Sequence, residues 1–297
     1  MPKVISIPTN VGFVRSDFYL VRAIGSQVSP FSGNYRSQEY DSVYWGGSVT
    51  TARMNREQAN EWKAFLLELN GPVNYFQFGD PDHFTPLGTY GTGGTGRYLR
   101  SDMRISDGSS TVSFSGSTIT SSDSVFTNAA VGDFIFITGA TNSANNGTFK
   151  VATVTSATVV VVEESLTTES STSGVAIRSN QKGATGLLLD AQSNSATGTI
   201  KKGDFLAITS STGTITADNV TQYVMCTEDA TLNVNSGADH YSVRIQPKLR
   251  ASAANNVRIG IGSAVNRGLF RLASPTVQWS SNRNSIMDLT FDFIEVI

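Results

Sequence analysis

Residues 131–139 read Val-Gly-Asp-Phe-Ile-Phe-Ile-Thr-Gly, and residues 145–151 read Asn-Asn-Gly-Thr-Phe-Lys-Val. The apolar stretches at 134–137 and 148–151 have the length of strands, and the Asn-Gly pair between them is a strong hairpin signal. Two further short apolar stretches, 112–114 and 159–162, lie on either side. The four stretches predict a small antiparallel β structure.

The surroundings of these stretches are unusually poor in charge. From 106 to 162 the charged residues are Asp107, Asp123, Asp133 and Lys150, and serine or threonine fills 12 of the 20 positions from 106 to 125. Such residues favour turns and, for threonine, strands. We therefore predict that 101–179 is an inserted, Ser/Thr-rich all-β module, and that 1–100 and 180–297 together form a discontinuous β-rich core domain.

One segment outside this module has the period of a helix. Ala59, Trp62, Phe65, Leu66 and Leu69 recur at three- and four-residue spacing, which predicts an amphipathic helix from about 55 to 69. Asn55 is a good N-cap, and the sequence Asn-Gly-Pro at 70–72 ends the helix.

Other segments alternate between polar and apolar residues, as half-buried strands do. They include 73–78, 241–246 and the C-terminal stretch 288–293. We therefore expect a mainly β protein, with a β-sandwich or barrel core, one amphipathic helix and an inserted all-β module.

Composition excludes several classes of function. Only 15% of residues are charged, and 22 basic and 24 acidic side chains give a net charge of −2. This balance argues against nucleic acid or an anionic membrane as a partner. No apolar run exceeds four residues, whereas a membrane helix needs about twenty. One cysteine, Cys226, allows neither an internal disulfide nor a thiolate zinc site.

The sharpest formal motif is Gly-Thr-Gly-Gly-Thr-Gly at 91–96, which matches the dinucleotide-binding pattern Gly-x-Gly-x-x-Gly. The pattern needs a buried strand before it and a helix after it. Thr-Pro-Leu-Gly at 85–88 and Arg-Tyr-Leu-Arg at 97–100 supply neither, so we expect no cofactor site there.

Metal and catalytic residues are sparse. His83 and His240 are the two histidines, each expected to be a solvated loop residue, and Asp80 and Asp82 around Pro81 indicate a turn. Cys226 is expected in a buried strand, and no serine stands in a Gly-x-Ser-x-Gly elbow. We predict no catalytic, cofactor-binding or metal-binding residue, and we expect that the protein is not an enzyme.

Two groups of side chains leave alternatives open. Glu163 and Glu164 could form an acid/base pair, but neighbours on a strand point to opposite faces, so a solvated strand end is expected. The aromatic residues Tyr35, Tyr40, Tyr44 and Trp45 could stack on a saccharide, anchor a protein interface, or enter the core.

A short motif occurs twice. Gly-Asp-Phe-Ile at 132–135 and Gly-Asp-Phe-Leu at 203–206 each open an apolar strand. Glycine permits a tight turn there and aspartate can accept backbone hydrogen bonds within it. Two instances leave open whether this is an internal repeat or shared turn chemistry.

Longer patterns carry a resemblance to a known class. The segments 126–127, 131–139, 145–151 and 158–162 together resemble a small β module that recurs in virion proteins of tailed bacteriophages. The flanks resemble a distal-tail or tail-tip (baseplate) protein. The flanking stretches are 62–71 leading into 76–81, Lys-Gly-Asp at 202–204, 245–250, and Trp279 with a closing strand through Glu295.

This resemblance implies a virion structural protein, assembled in the host cytoplasm into the phage tail. It implies a homo-oligomeric ring, with a hexamer favoured, that joins the tail tube to the host-recognition apparatus and contacts other tail proteins. A capsid decoration protein or a receptor- or glycan-binding module is the alternative, with a host surface glycan as its partner. A glycan-degrading tail enzyme is the third hypothesis.

Overall fold

The computed structural model describes residues 2–83, 85–90, 97–99, 106–107, 110–190, 198–210, 212, 216, 219–233, 239–261, 267–279 and 288–296. This part of the chain is mainly β with one α-helix, which confirms the predicted class. The chain forms two compact units. Unit 1 comprises Met1–Phe84, Thr216–Tyr223 and Arg267–Ile297, and unit 2 comprises Thr85–Ile215 and Val224–Asn266. The predicted division into a core and an inserted module at 101–179 stays a prediction.

Unit 1 contains a six-stranded sheet and the helix. Its elements in chain order are β1 (Val4–Ile5), β2 (Phe13–Val28), β3 (Tyr35–Thr51), α1 (Arg56–Glu68), β4 (Tyr75–Phe78), β20 (Gly268–Leu272) and β21 (Thr290–Glu295). The strands lie in the order β1, β4, β20, β21, β3, β2. The C-terminal stretch is thus built into the sheet as β21, between β20 and β3, as its alternation predicts.

Helix α1 follows its local signals. Asn55 accepts a hydrogen bond from the Gln58 backbone N–H, and the Gln58 side chain accepts one from the Asn55 N–H, which completes a capping box. The helix ends before Asn70 and Gly71, whose φ angles are 50° and 63°. The five apolar residues predicted to form one stripe are all buried.

The core of unit 1 is built from aromatic rings. Phe293 is fully buried and makes edge-on contacts with Phe18, Phe78 and Phe270, at centroid distances of 5.2, 5.2 and 5.0 Å. Trp62 of α1 is also fully buried and meets Phe65 edge-on at 5.8 Å. The helix stripe and the C-terminal strand therefore contribute to one apolar core.

Unit 2 contains the remaining strands. They are β5 (Arg97–Tyr98), β6 (Ser106–Asp107), β7 (Val112–Ser115), β8 (Thr118–Ser121), β9 (Phe134–Thr138), β10 (Gly147–Ser156), β11 (Val159–Val162), β12 (Glu169–Thr172), β13 (Ala176–Arg178), β14 (Gly186–Asp190), β15 (Phe205–Thr209), β16 (Val220–Cys226, which enters from unit 1), β17 (Thr231–Asn233), β18 (His240–Gln246) and β19 (Arg258–Gly260). The hairpin predicted around the Asn-Gly pair is present, because Gly147 of β10 pairs with Ile137 of β9.

Two four-stranded groups in these sheets share one topology. In the first sheet, neighbouring strands follow the order β8, β11, β10, β9, and in the second they follow the order β14, β18, β16, β15. In each group the first strand in sequence pairs with the last, and the last pairs with the third. The repeated Gly-Asp motif stands immediately before the second strand of each group, so the motif marks an internal structural repeat.

The two aspartates of the motif make the same local contact. One carboxylate oxygen of Asp133 accepts the backbone N–H of Ala130 at 2.8 Å. One carboxylate oxygen of Asp204 accepts the backbone N–H of Lys201, also three residues earlier, at 2.8 Å. Each aspartate is buried and closes the turn that begins its strand.

The glycine of each motif fits a backbone shape that other residues avoid. Gly132 and Gly203 have φ angles of 90° and 97°, and their N–H groups donate to Val151 and Cys226 on the adjoining strands. A Cβ on Gly203 would meet nothing closer than 3.5 Å, so conformation rather than space requires glycine here.

We therefore expect Gly203→Ala to lower the free energy of unfolding by about 1–2 kcal/mol, because alanine is strained at positive φ. Chemical denaturation of the full chain measures this change. Gly12→Ala is the control, because Gly12 has no positive φ and open space around it. Equal stability of the two variants would contradict the conformational explanation.

Candidate interaction surface

The hairpin of β2 and β3 is longer than the sheet to which it belongs. Strand β3 pairs with β21 only from Gly46 to Thr50, whereas β2 and β3 stay paired as far as Val28 and Tyr35. We call residues 22–43 the arm. Within the described residues, the two strands of the arm pair only with each other.

One face of the arm carries three exposed apolar side chains. Val28 lies directly opposite Tyr35, and Ile24 lies four residues from Val28 on the same strand, so the three side chains share a face. Their exposed fractions are 57%, 64% and 52%, and Phe31 in the connecting turn is 99% exposed. Ser26 and Ser37 are also exposed on this face and pair with each other, so the face combines apolar side chains with serines.

The opposite face of the hairpin carries tyrosine rings packed over glycines. Tyr19 lies opposite Gly46, and a Cβ on Gly46 would come within 2.7 Å of the Tyr19 ring. A Cβ on Gly25 would come within 3.0 Å of the Tyr40 ring. Both tyrosines remain about half exposed, so the glycines let the rings lie close against the ribbon.

The arm is fixed at its root by buried polar contacts. The Trp45 indole N–H donates to the Tyr223 carbonyl at 2.8 Å, and the Trp45 backbone N–H donates to the Glu295 carboxylate at 3.1 Å. Glu295 also accepts the Tyr223 backbone N–H at 2.9 Å. These contacts tie strand β3 at the root of the arm to Tyr223 and Glu295.

The four aromatic residues considered from sequence divide between two roles. Tyr35 and Tyr40 are exposed on the arm, Tyr44 is half-buried, and Trp45 is in the core. Sequence reasoning missed Ile24, Val28 and Phe31, because nothing local in the sequence indicates that these side chains are exposed.

A second group of polar residues meets in the interior of unit 2. One oxygen of Asp133 lies 2.6 Å from both Asn233 Nδ2 and His240 Nε2, and it accepts the Ser242 hydroxyl at 2.7 Å. Asp133 and His240 are 0% exposed, so the expectation of a solvated loop histidine is wrong for His240. Since Asn233 and Ser242 belong to β17 and β18, the cluster joins the first repeat to the second.

Aspartate, histidine and serine are also the residues of a hydrolase triad, but their arrangement differs. In a triad the serine hydroxyl donates to the histidine, which the aspartate orients. Here the Ser242 hydroxyl donates to Asp133 itself, and the side chains are buried away from any substrate. This cluster is built to hold strands together.

The other candidates from sequence occupy structural positions. Asp80 accepts the Asp82 N–H at 3.2 Å and contacts His83 Nδ1 at 2.9 Å, which makes the expected turn. Cys226 is buried in β16, and burial raises the pKa of its thiol. The glycine motif at 91–96 lies outside the described residues.

Glu163 and Glu164 both approach Lys150. Glu163 lies 3.7 Å from the Lys150 ammonium, and Glu164 accepts the Lys150 backbone N–H at 3.0 Å. Strand β11 ends at Val162, and the two glutamates follow it in a bend, Glu163 exposed and Glu164 half-buried, which agrees with the expected solvated strand end. Arg244 Nη2 lies 3.9 Å from a carboxylate oxygen of Glu164, so the two glutamates lie near two cationic side chains, Lys150 and Arg244.

Glu169 organises the loop between β9 and β10. Its carboxylate accepts the backbone N–H groups of Thr141 and Asn142 at 2.8 and 3.1 Å and the Asn145 amide at 3.0 Å. Partial burial raises the pKa of Glu169, but these hydrogen bonds outweigh burial and lower the pKa from 4.5 to about 2.

A carboxylate with a lowered pKa stabilises the fold at pH values above its unfolded pKa, and this stabilisation is lost as the pH falls towards the folded pKa. We therefore expect the wild type to be more stable than Glu169→Gln at pH 7 and the difference to shrink from about pH 4.5 to about pH 2. Thermal unfolding across this range measures the difference. A gap between wild type and variant that does not change with pH would contradict the assignment, and Glu163→Gln controls for the loss of one charge.

The described residues contain no group of three or more His, Cys, Asp or Glu side chains placed to hold a metal ion. Among the same residues, no helix has the length and apolar character needed to cross a membrane. No family model matches the chain, and no curated protein matches it.

Proposed function

We propose that this chain is a structural subunit of a tailed-phage virion, a distal-tail or tail-tip protein that assembles into a ring, with six copies favoured. The uncovered apolar face of the arm is the observation that carries the proposal. Ile24, Val28 and Tyr35 lie on one face of the arm, and each of these apolar side chains is more than half exposed. Exposed apolar side chains grouped on one face are typical of a protein–protein interaction site.

The ribbon form of the arm supports the same conclusion. An isolated two-stranded hairpin is marginally stable in water, and it gains stability when its apolar face packs against another surface. Hydrogen bonds of Trp45 hold β3 at the root of the arm, from which this face extends. The resemblance of the flanking segments to distal-tail proteins adds the virion setting, in which other tail proteins are the further partners.

The proposal is tested by the assembly state of the purified chain. Light scattering and native mass spectrometry are expected to show one closed oligomer, and negative-stain images are expected to show rings with a central channel. Labelled antibody is expected to locate the chain in the phage tail. A protein that remains monomeric at high concentration and is absent from the virion would contradict the proposal.

One substitution probes the apolar face itself. Val28→Ser is expected to weaken assembly by about 10- to 100-fold, because burial of a valine side chain contributes roughly 1.5–3 kcal/mol. Val131→Ser in unit 2 is the matched control, because Val131 is 56% exposed and lies outside the arm. Equal weakening by both variants would count against the arm as the contact.

The face of the hairpin that carries Tyr19 and Tyr40 favours the second candidate, a receptor- or glycan-binding module. Tyr19 and Tyr40 present half-exposed rings against the ribbon, and such rings can stack on sugars. This candidate predicts a monomer or a spike-like trimer that binds host polysaccharide, so the images and masses of the assembly test also distinguish it from the ring.

A further inference from the structure

Strand β2 is the outermost strand of the six-stranded sheet, so one side of its backbone forms the edge of that sheet. At the tip of the hairpin, the Ser29 N–H donates to the Asn34 carbonyl, which turns the Ser29 backbone towards β3. At the root, the Ala52 N–H donates to Gly12, whereas the neighbouring Thr51 N–H donates to Leu289. When these hydrogen bonds are followed along the register of the β2–β3 pairs, both ends assign the same residues of β2 to the side that faces β3.

Odd-numbered residues of β2 therefore bond to β3, and even-numbered residues turn their N–H and C=O groups outwards. In the segment 24–28 the outward-facing residues are Ile24, Ser26 and Val28, because β2 is the last strand of the sheet. Ile24 and Val28 also carry the exposed apolar side chains. The unpaired edge and the uncovered face thus belong to the same residues.

Between Ile24 and Val28 the edge lacks the usual protections. Edge strands are commonly protected by proline, charged side chains, β-bulges or a covering element, which prevent pairing with other chains. The irregularities in the pairing of β2 with β3 lie before this segment, between Phe13 and Arg15 and between Arg22 and Ile24, and residues 24–28 contain no proline and no charged side chain. Such an edge is a template for a further strand.

We propose that β2 accepts a strand from a second copy of this chain along the outward edge at 24–28, and that side chains of this added strand pack beside Ile24 and Val28 on the same face. The inference rests on the proposed assembly and specifies its contact. Every copy of the chain exposes the same edge of β2, so one partner strand is needed for each copy. A second copy meets this requirement directly, and the arm contains two arginines, one glutamate and one aspartate, so no net charge opposes the approach of two copies.

Hydrogen–deuterium exchange resolved to single residues tests the contact in the full chain. The amides of Ile24, Ser26 and Val28 are expected to exchange at least tenfold more slowly in the oligomer than in the diluted monomer. The amides of Gly25, Gln27 and Ser29 bond within the hairpin, so they are expected to exchange at similar rates in both states.

The outcomes separate this inference from the proposed function. If a ring forms but the even-numbered amides exchange as fast as in the monomer, strand addition is wrong and the ring stands. If no oligomer forms, both are wrong. Slower exchange confined to the even-numbered amides supports both.

A variant that removes one outward N–H provides a second measurement. Ser26→Pro deletes the Ser26 N–H at an edge position that proline tolerates, and Ser26→Ala keeps it. We expect the proline variant to weaken assembly at least tenfold and the alanine variant to change it less than twofold. Wild-type assembly by Ser26→Pro would overturn the proposed contact.

Discussion

Asp133→Ala is expected to lower the free energy of unfolding by about 3–5 kcal/mol, because removal of one partner from a buried charged network leaves the others unsatisfied. Asp133 lies within hydrogen-bond distance of Ala130, Asn233, His240 and Ser242, and alanine accepts no side-chain hydrogen bond. The effect is large because the side chain is 0% exposed, so water cannot replace the lost acceptor.

Urea unfolding of the full chain, followed by circular dichroism, measures this loss. Asp123→Ala is the matched control, since Asp123 lies in the same serine-rich region but is exposed. We expect the control to change stability by less than about 0.5 kcal/mol. A loss below about 1 kcal/mol for Asp133→Ala would mean that the cluster does not hold the two repeats together.

Phe293→Ala is expected to lower the free energy of unfolding by a similar amount, about 3–5 kcal/mol. The Phe293 ring is 0% exposed and meets Phe18, Phe78 and Phe270. Truncation to alanine removes these contacts and leaves a cavity that β21, fixed between β20 and β3, cannot readily close.

Phe31→Ala is the matched control for this substitution, because it is the same chemical change at a side chain that is 99% exposed. Stability of the monomer is expected to change by less than about 0.5 kcal/mol. Thermal unfolding of dilute protein measures both variants. Similar midpoints for Phe293→Ala and Phe31→Ala would contradict the described core.

The helix could be predicted almost completely from the sequence. Asn55, the apolar stripe from Ala59 to Leu69 and the Asn-Gly-Pro stop act within a few residues of each other, and the structure contains α1 at Arg56–Glu68. Strands with a regular alternation were equally accessible, because the alternation in 288–293 is itself the pattern of burial in β21.

The internal repeat could be predicted only in part. Gly132 and Gly203, each followed by aspartate, indicated two similar turns, and their positive φ angles agree with that. The common strand order could not be seen, because it depends on pairings between segments far apart in sequence. The burial of His240 was missed for the same reason, since its environment comes from Asp133, 107 residues away.

The sequence by itself determined which segments become helix and strand, because those choices depend on spacing, caps and turn residues close along the chain. Tertiary structure alone decided which of the strands leave apolar side chains exposed to solvent. Ile24 and Val28 are apolar strand residues, as Phe291 and Phe293 are, but β21 pairs with β3 only between Gly46 and Thr50, so the arm extends past its neighbour and these two side chains stay exposed. Burial depends on what lies opposite a residue, and that is fixed by distant parts of the chain.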